Sequence, residues 1–200
     1  MTLVKKSQPS LRRETILDAA IRLFQQHGFG GLGMRQIADR LQIKAPSLYH
    51  HFASKEDLAR EALRQYREEQ SARLLAISES DDLTGKLQAY AELFAKMLHD
   101  DIRPCLYLAM VREPSVQEES CTTELRLFAR QNVNWLEGIL RNEEELRLPA
   151  AMSARELAEI IFGSFEGIMA LSLADKNPAS AFRKRANNFL KIVMNAQTAL

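Results

Sequence analysis

Apolar residues recur along most of this chain at intervals of three and four, and almost nowhere at every second position. That period predicts helices throughout, and therefore an all-α fold of about nine helices. In the first, Ile16, Ala19, Ala20, Leu23 and Phe24 make the inward stripe. Ser10 can cap its start, and His27-Gly28 closes the pattern. Met34, Ile37, Ala38 and Leu41 form the stripe of a second, shorter helix whose other face carries Arg35, Gln36, Asp39 and Arg40. Gln42 to Ala45 breaks the period, and Pro46 suits the first turn of a new helix because its missing N–H needs no partner there. That third helix extends to about His51, with Leu48 turned inward and Phe52 closing it. Ser54 caps a fourth, with Asp57 in the place of a capping-box acid. It runs from Lys55 to about Ala76 and carries Leu58, Ala62, Leu63, Tyr66, Leu74 and Leu75 as contacts to both halves of the molecule.

Five further helices follow the same logic. Asp81-Asp82 caps Leu83 to Leu98; Pro104 and Pro114 bracket Cys105 to Val111; and a long helix spans Val116 to Asn142, with Glu118 and Glu119 in its first turns. Ser153 and Glu156 form a capping box for a helix reaching Ala174, and Asn177-Pro178 opens the last one, to about Gln197.

The most informative stretch is Gly33 to Asp57, two short helices and a turn that read as a helix-turn-helix. On its outer side stand Lys44, Ser47, Tyr49 and His50, all able to donate hydrogen bonds to phosphates or base edges. Lys55, at the start of the fourth helix, gains nothing from the helix dipole, so a nearby anion such as DNA phosphate would account for it; an ordinary solvated lysine is the plain alternative. The run RRETILDAAIRLFQQHGFGGLGMRQIADRLQIKAPSLYHHFASKEDL, about residues 12 to 58, resembles the N-terminal domain of the TetR family of bacterial transcriptional regulators.

The resemblance implies a three-helix DNA-binding domain over residues 1–53 and a regulatory domain for ligand binding and dimerisation over 54–200. It implies double-stranded operator DNA as partner, with Arg35, Lys44, Ala45, Pro46, Ser47, Tyr49, His50 and Lys55 as contacts. Two positions depart from the family pattern. Gly33 stands where a Thr or Ser usually caps the second helix, so that hydroxyl contact is not carried over. Gln42 stands in the turn where Gly is common, and a left-handed conformation there would cost it something.

Charge sharpens the division. The net charge of +1 conceals nine Lys/Arg against three acids in residues 1–55, which leaves 18 basic and 23 acidic groups for the remainder. A basic head suits a polyanion at one end only, and Lys5 and Lys6 of the leading arm add to it. At 200 residues and 46% hydrophobic the chain can bury a sizeable core. No apolar run approaches the roughly 18 residues needed to cross a bilayer, and the N-terminus lacks a signal-peptide core, which points to a cytoplasmic protein with no membrane partner. Cys105 and Cys121 fit no zinc or disulfide spacing, so reduced thiols without a metal or other cofactor are expected.

Of the last two helices, the first carries small residues Ala158, Gly163, Ser164, Gly167 and Ala170 beside large apolar ones. The family's homodimer uses these helices, and a two-fold pair would set two recognition helices roughly 34 to 36 Å apart, matching a palindromic operator. The family's effector pocket lies in the body. Candidates for a small apolar or amphipathic effector are Phe94, Met97, Leu98, Tyr107, Met110, Phe128, Trp135, Phe162, Phe165, Glu166 and Met169, for each of which core packing is the ordinary role. Tyr107 and Trp135 add polar handles. Cys105, after Pro104 and beside Arg103, stands where a helix dipole would lower its pKa, making it a candidate thiol sensor; a buried small hydrophobe is the plainer alternative. No acid, base and nucleophile stand at catalytic spacing, and the resemblance implies a non-enzymatic repressor released by a small-molecule or thiol-reactive inducer. A ligand-independent regulator or an activator would carry the same head.

Overall fold

The computed structural model describes residues 13–79, 82–99, 102–113, 119–143 and 152–195. Among them run nine α-helices: α1 (Arg13–His27), α2 (Met34–Arg40), α3 (Ala45–His51), α4 (Lys55–Ser78), α5 (Leu83–His99), α6 (Leu106–Val111), α7 (Glu119–Arg141), α8 (Ala154–Ser172) and α9 (Pro178–Asn195). The expected roles of Lys5, Lys6, Ser10, Asp81, Pro114, Val116, Glu118 and Gln197 lie outside the described residues.

The local signals operate as the side-chain chemistry requires. Gly28 ends α1 at φ +68, its N–H bonded to the Phe24 carbonyl. A Cβ there would also stand 2.5 Å from Glu113 Oε1, at the tip of a flexible side chain that could give way, so it is the positive φ that favours glycine at this position. Gln42 takes φ 56, the left-handed turn conformation that burdens a non-glycine residue. Ser54 Oγ accepts from the Asp57 N–H at 3.1 Å, but the Asp57 carboxylate reaches past the cap to the Ala53 N–H, also at 3.1 Å. At α8 the full Ser153–Glu156 capping box is present, and Asn177 Oδ1 accepts from the Ser180 N–H at the head of α9.

Packing divides the chain around α4. Its 24 residues, about 36 Å at the helical rise, pack first on α1 and then on α5 and α7. Leu58, Ala59 and Ala62 face the head; Tyr66, Gln70 and Leu74 face the body. Leu75 departs from the expected contacts: it is 70% exposed, one position off the buried stripe. In the body, α5 packs on α9, and α7 and α9 each pack on α8. A two-pronged ion pair from Arg183 to Glu92, at 2.6 and 2.8 Å, pins α9 to α5. Below it the rings of Phe94 and Phe182 stack at 5.8 Å and 7°. No helix of the described residues is long and apolar enough to cross a membrane.

Candidate nucleic-acid interface

In α3, burial separates two roles with a period of one helical turn. Leu48 and the Phe52 that follows the helix are completely buried, whereas Lys44, Pro46, Ser47, Tyr49 and His50 are exposed, Tyr49 at 48%. A large aromatic half in water is costly unless something covers it, and a residue set of this kind has hydrogen-bond donors and ring faces to offer. Ala45 is half-buried, and Arg35 stands exposed on α2. The α2–α3 angle is held by short backbone bonds through the turn, Ile43 N–H to the Ala38 carbonyl and Gln42 N–H to Asp39, each at 3.0 Å. With no hydroxyl at Gly33, α2 is capped instead by Gln36, whose Oε1 accepts the Gly33 N–H at 2.8 Å.

Lys55 is placed differently from the other basic candidates. Its ammonium donates to the Phe29 carbonyl at 3.0 Å and sits 4.1 Å from the Phe29 ring centroid. It is a brace between the α1–α2 loop and α4, with its charge already answered by protein. A second brace is Glu61. Burial pushes its carboxyl up, but hydrogen bonds from Arg13 and Arg64 outweigh that and hold it below its usual range. Arg13 also lies 4.9 Å over the Phe52 ring, so one side chain links α1, α4 and the residue that closes α3.

The sensor candidates in the body are mostly core. Phe94, Leu98, Met110, Phe128, Phe162, Phe165 and Met169 are buried; Met97, Tyr107 and Trp135 are half-buried. The Trp135 N–H is taken by Ser78 Oγ at 2.8 Å, and Tyr107 lies between the Phe128 and Phe162 rings. Two cavities flank the junction of head and body instead. One of about 700 Å³ lies between the end of α1, α6 and the end of α8; one of about 430 Å³ lies between α1, α4 and α5, and of the candidates only Met97 lines either. Between the two stands buried Gln25, which donates to the Pro104 carbonyl at 2.9 Å.

The expectation of a low-pKa thiolate at Cys105 is overturned. Its thiol is fully enclosed, and burial, reinforced by nearby Glu166, pushes it well above its ordinary value. A six-residue helix adds too little dipole to offset that loss of solvent. Glu166 is itself 6% exposed, and burial pushes it up to about 7.

Among the inward polar residues missed in the sequence are Gln25, Gln70 and Asn132. Gln70 Nε2 and the Tyr90 hydroxyl both donate to Asn132 Oδ1 at 3.0 Å, while Asn132 Nδ2 donates to the Phe128 carbonyl at 2.9 Å. The available signal was phase: each occupies an apolar slot of its helix, as Asn132 does between Phe128 and Leu136.

The family model for bacterial regulatory proteins of the tetR family matches residues 16–62, which cover α1 to the first third of α4. The LmrA transcriptional regulator of Bacillus subtilis is 30% identical over 171 residues, 82% of this chain and 88% of that protein. The chain belongs to the TetR family. The KstR2 repressor of Mycolicibacterium smegmatis is 43% identical over 60 residues, but the match spans only 29% of that relative's length. In architecture, the TetR-family regulator of Agrobacterium tumefaciens superposes with a TM-score of 0.82 at 27% identity, over 90% of this chain and 96% of that one. The helix-turn-helix of this TetR-family chain is therefore α2–α3, and its long remainder is the helical C-terminal domain of the same fold.

Proposed function

We propose that this chain is a homodimeric transcriptional repressor that reads a palindromic operator through α3 and is released by a small effector bound in its body. The observation that carries the reading is the split of α3: Leu48 and Phe52 bury completely, so that Lys44, Ser47, Tyr49 and His50 are presented on a rigid support. Arg35, Ala45 and Pro46 border that surface. The head proper is residues 1–53, and α4 begins the regulatory part. In this reading the chain is a regulator and not a catalyst.

Support for the dimer comes from α8 and α9. Ile160, Leu171 and Ile192 are exposed large aliphatics, and a Cβ added at Gly163 or Gly167 would meet nothing within 4 Å. Such a face is suited to close approach by a second copy. The two cavities between head and body give an effector a place from which to change the spacing of the heads; it need only bind the operator-incompetent arrangement more tightly.

The test is a gel shift on the DNA upstream of the chain's own gene at two salt concentrations. Wild type is expected to shift it with affinity that falls steeply as salt rises. Tyr49→Ala is expected to lose about 1–3 kcal/mol of binding while keeping the wild-type melting temperature. No shift on that DNA or on pooled genomic fragments would remove the reading.

A further inference from the structure

We propose that the body of this chain binds an amphipathic amine, with the carboxylate of Glu166 receiving the ligand's ammonium group. The inference rests on the sensing role given to the body above. Among the described buried polar side chains, Glu166 alone has atoms without a hydrogen bond, and it has two: both carboxylate oxygens. Its neighbours in rank are all answered: Gln25 by Pro104, Gln70 and Tyr90 by Asn132, Ser172 by the Ile168 carbonyl, Glu61 by three arginines. Burying a carboxylate without donors or a counter-charge is among the costliest arrangements a core can hold.

The groups around it define what would answer it. Tyr66 of α4, Tyr90 of α5, and Cys105 and Tyr107 at α6 all feel the Glu166 charge, and burial keeps each of them protonated. Among the described residues no Arg, Lys or His acts on it; burial raises its pKa, and the weakly polar Cys105 thiol lowers it. The partner missing from the protein is therefore cationic. An ammonium carries three donors, enough for both oxygens, together with the opposite charge. An anion would be repelled, and a neutral hydroxyl would leave the charge unbalanced.

The surroundings suit the rest of such a ligand. Tyr66 and Tyr107 stack on Phe128 at 5.4 and 5.8 Å, and Tyr90 stacks on Phe165 at 5.6 Å, presenting ring faces that favour a cation and an apolar tail alike. Access is closed by soft groups. The 430 Å³ cavity has Tyr66 and Met97 in its wall, and behind them lies Cys105. The Tyr66 hydroxyl donates to sulfur, Met97 Sδ at 3.1 Å and Cys105 Sγ at 3.6 Å, which are weak bonds to break, and Met97 is unbranched and pliable. The same chain continues inward, where the Cys105 N–H donates to Met169 Sδ at 3.0 Å, one turn of α8 from Glu166.

Titration calorimetry of the full chain without DNA, using octylamine, octanol and octanoate, tests the inference. Octylamine should bind at least about tenfold more tightly than either of the others. Near pH 6 its binding should release close to one proton, on the order of the full charge step of the carboxyl, seen as a dependence of heat on the buffer's ionisation enthalpy. Glu166→Gln should abolish both the preference and the proton release. The inference is overturned if octylamine does not bind, if octanol or octanoate binds as well, or if the preference persists in the variant. Should the variant not fold, wild-type selectivity and proton release still decide. Because DNA is absent, failure here leaves the operator reading intact, and a chain that binds octylamine but no DNA loses only that reading.

Discussion

The head and the body of this TetR-family chain close their interiors by different means. In the head, Ile16, Phe24, Phe29, Ile37, Leu48 and Phe52 belong to the apolar core, and the charged groups beside them are paired, Arg13 with the Phe52 ring and buried Glu61, Lys55 with the Phe29 ring. In the body, Tyr66, Gln70, Tyr90, Asn132, Ser172 and Glu166 lie inside among the aromatic rings. A core of the first kind has one way to pack and holds α3 rigidly. One of the second kind carries hydrogen bonds that can be exchanged, and one acid whose bonds are unmade.

The largest effect expected from this contrast is in the head. Phe52→Ala removes a fully buried ring on which Arg13 rests, and should cost about 3–5 kcal/mol in denaturant unfolding. Operator binding should go with it, because α3 loses its support. A loss below about 1 kcal/mol would show that the head does not depend on a single tight cluster.

Next in size is a pH effect confined to the body. The folded pKa of Glu166, about 7, lies above its ordinary value of 4.5, so between those limits the folded chain holds a proton that the unfolded chain has released. Stability should therefore fall as pH rises from about 5 and level off above 7, by an amount on the order of 3 kcal/mol. Asp57, Glu61 and Glu92 are held low and are ionised across this window, so they do not mask the slope. Unfolding at pH 5 and pH 8 should differ in wild type and agree in Glu166→Gln; equal wild-type stabilities would mean that the acid is solvated.

Asn132→Leu should follow at about 1–3 kcal/mol, because it strands the buried donors of Gln70 and Tyr90. Melting curves of Asn132→Leu beside the double variant with Gln70→Leu would show whether the network is shared: partial recovery in the double variant is expected, and simple additivity would argue against coupling.

The sequence revealed the head more fully than the body for a reason visible in these residues. Helix period, the Pro46 start and the LYHHF run are local, and they sufficed for α1 to α4 and for the capped ends of α8 and α9. Which helix faces a residue meets is not local. Leu75 reads as core and is exposed, since one step of 100° takes it off the stripe that Leu74 continues. Cys105 reads as an activated thiol because the dipole and Arg103 are sequence neighbours, while the burial that reverses the shift comes from α4 and α8, 39 and 64 residues away at Tyr66 and Met169. Trp135 reads as a free polar handle, and Ser78 already holds it.

The smallest effect separates two lysines that look alike in sequence. Lys44 is exposed ahead of α3, whereas Lys55 spends its ammonium on the Phe29 carbonyl and ring. Each phosphate neutralised by a lysine contributes roughly one unit to the slope of log affinity against log salt. Lys44→Gln should lower that slope by about one and leave stability unchanged. Lys55→Gln should leave the slope as it is and cost about 1 kcal/mol of stability, the worth of a cation–π contact with a charged hydrogen bond at a partly buried site. If Lys55→Gln lowers the slope instead, the ammonium leaves Phe29 for phosphate when operator binds, and the head is less rigid than its apolar core implies.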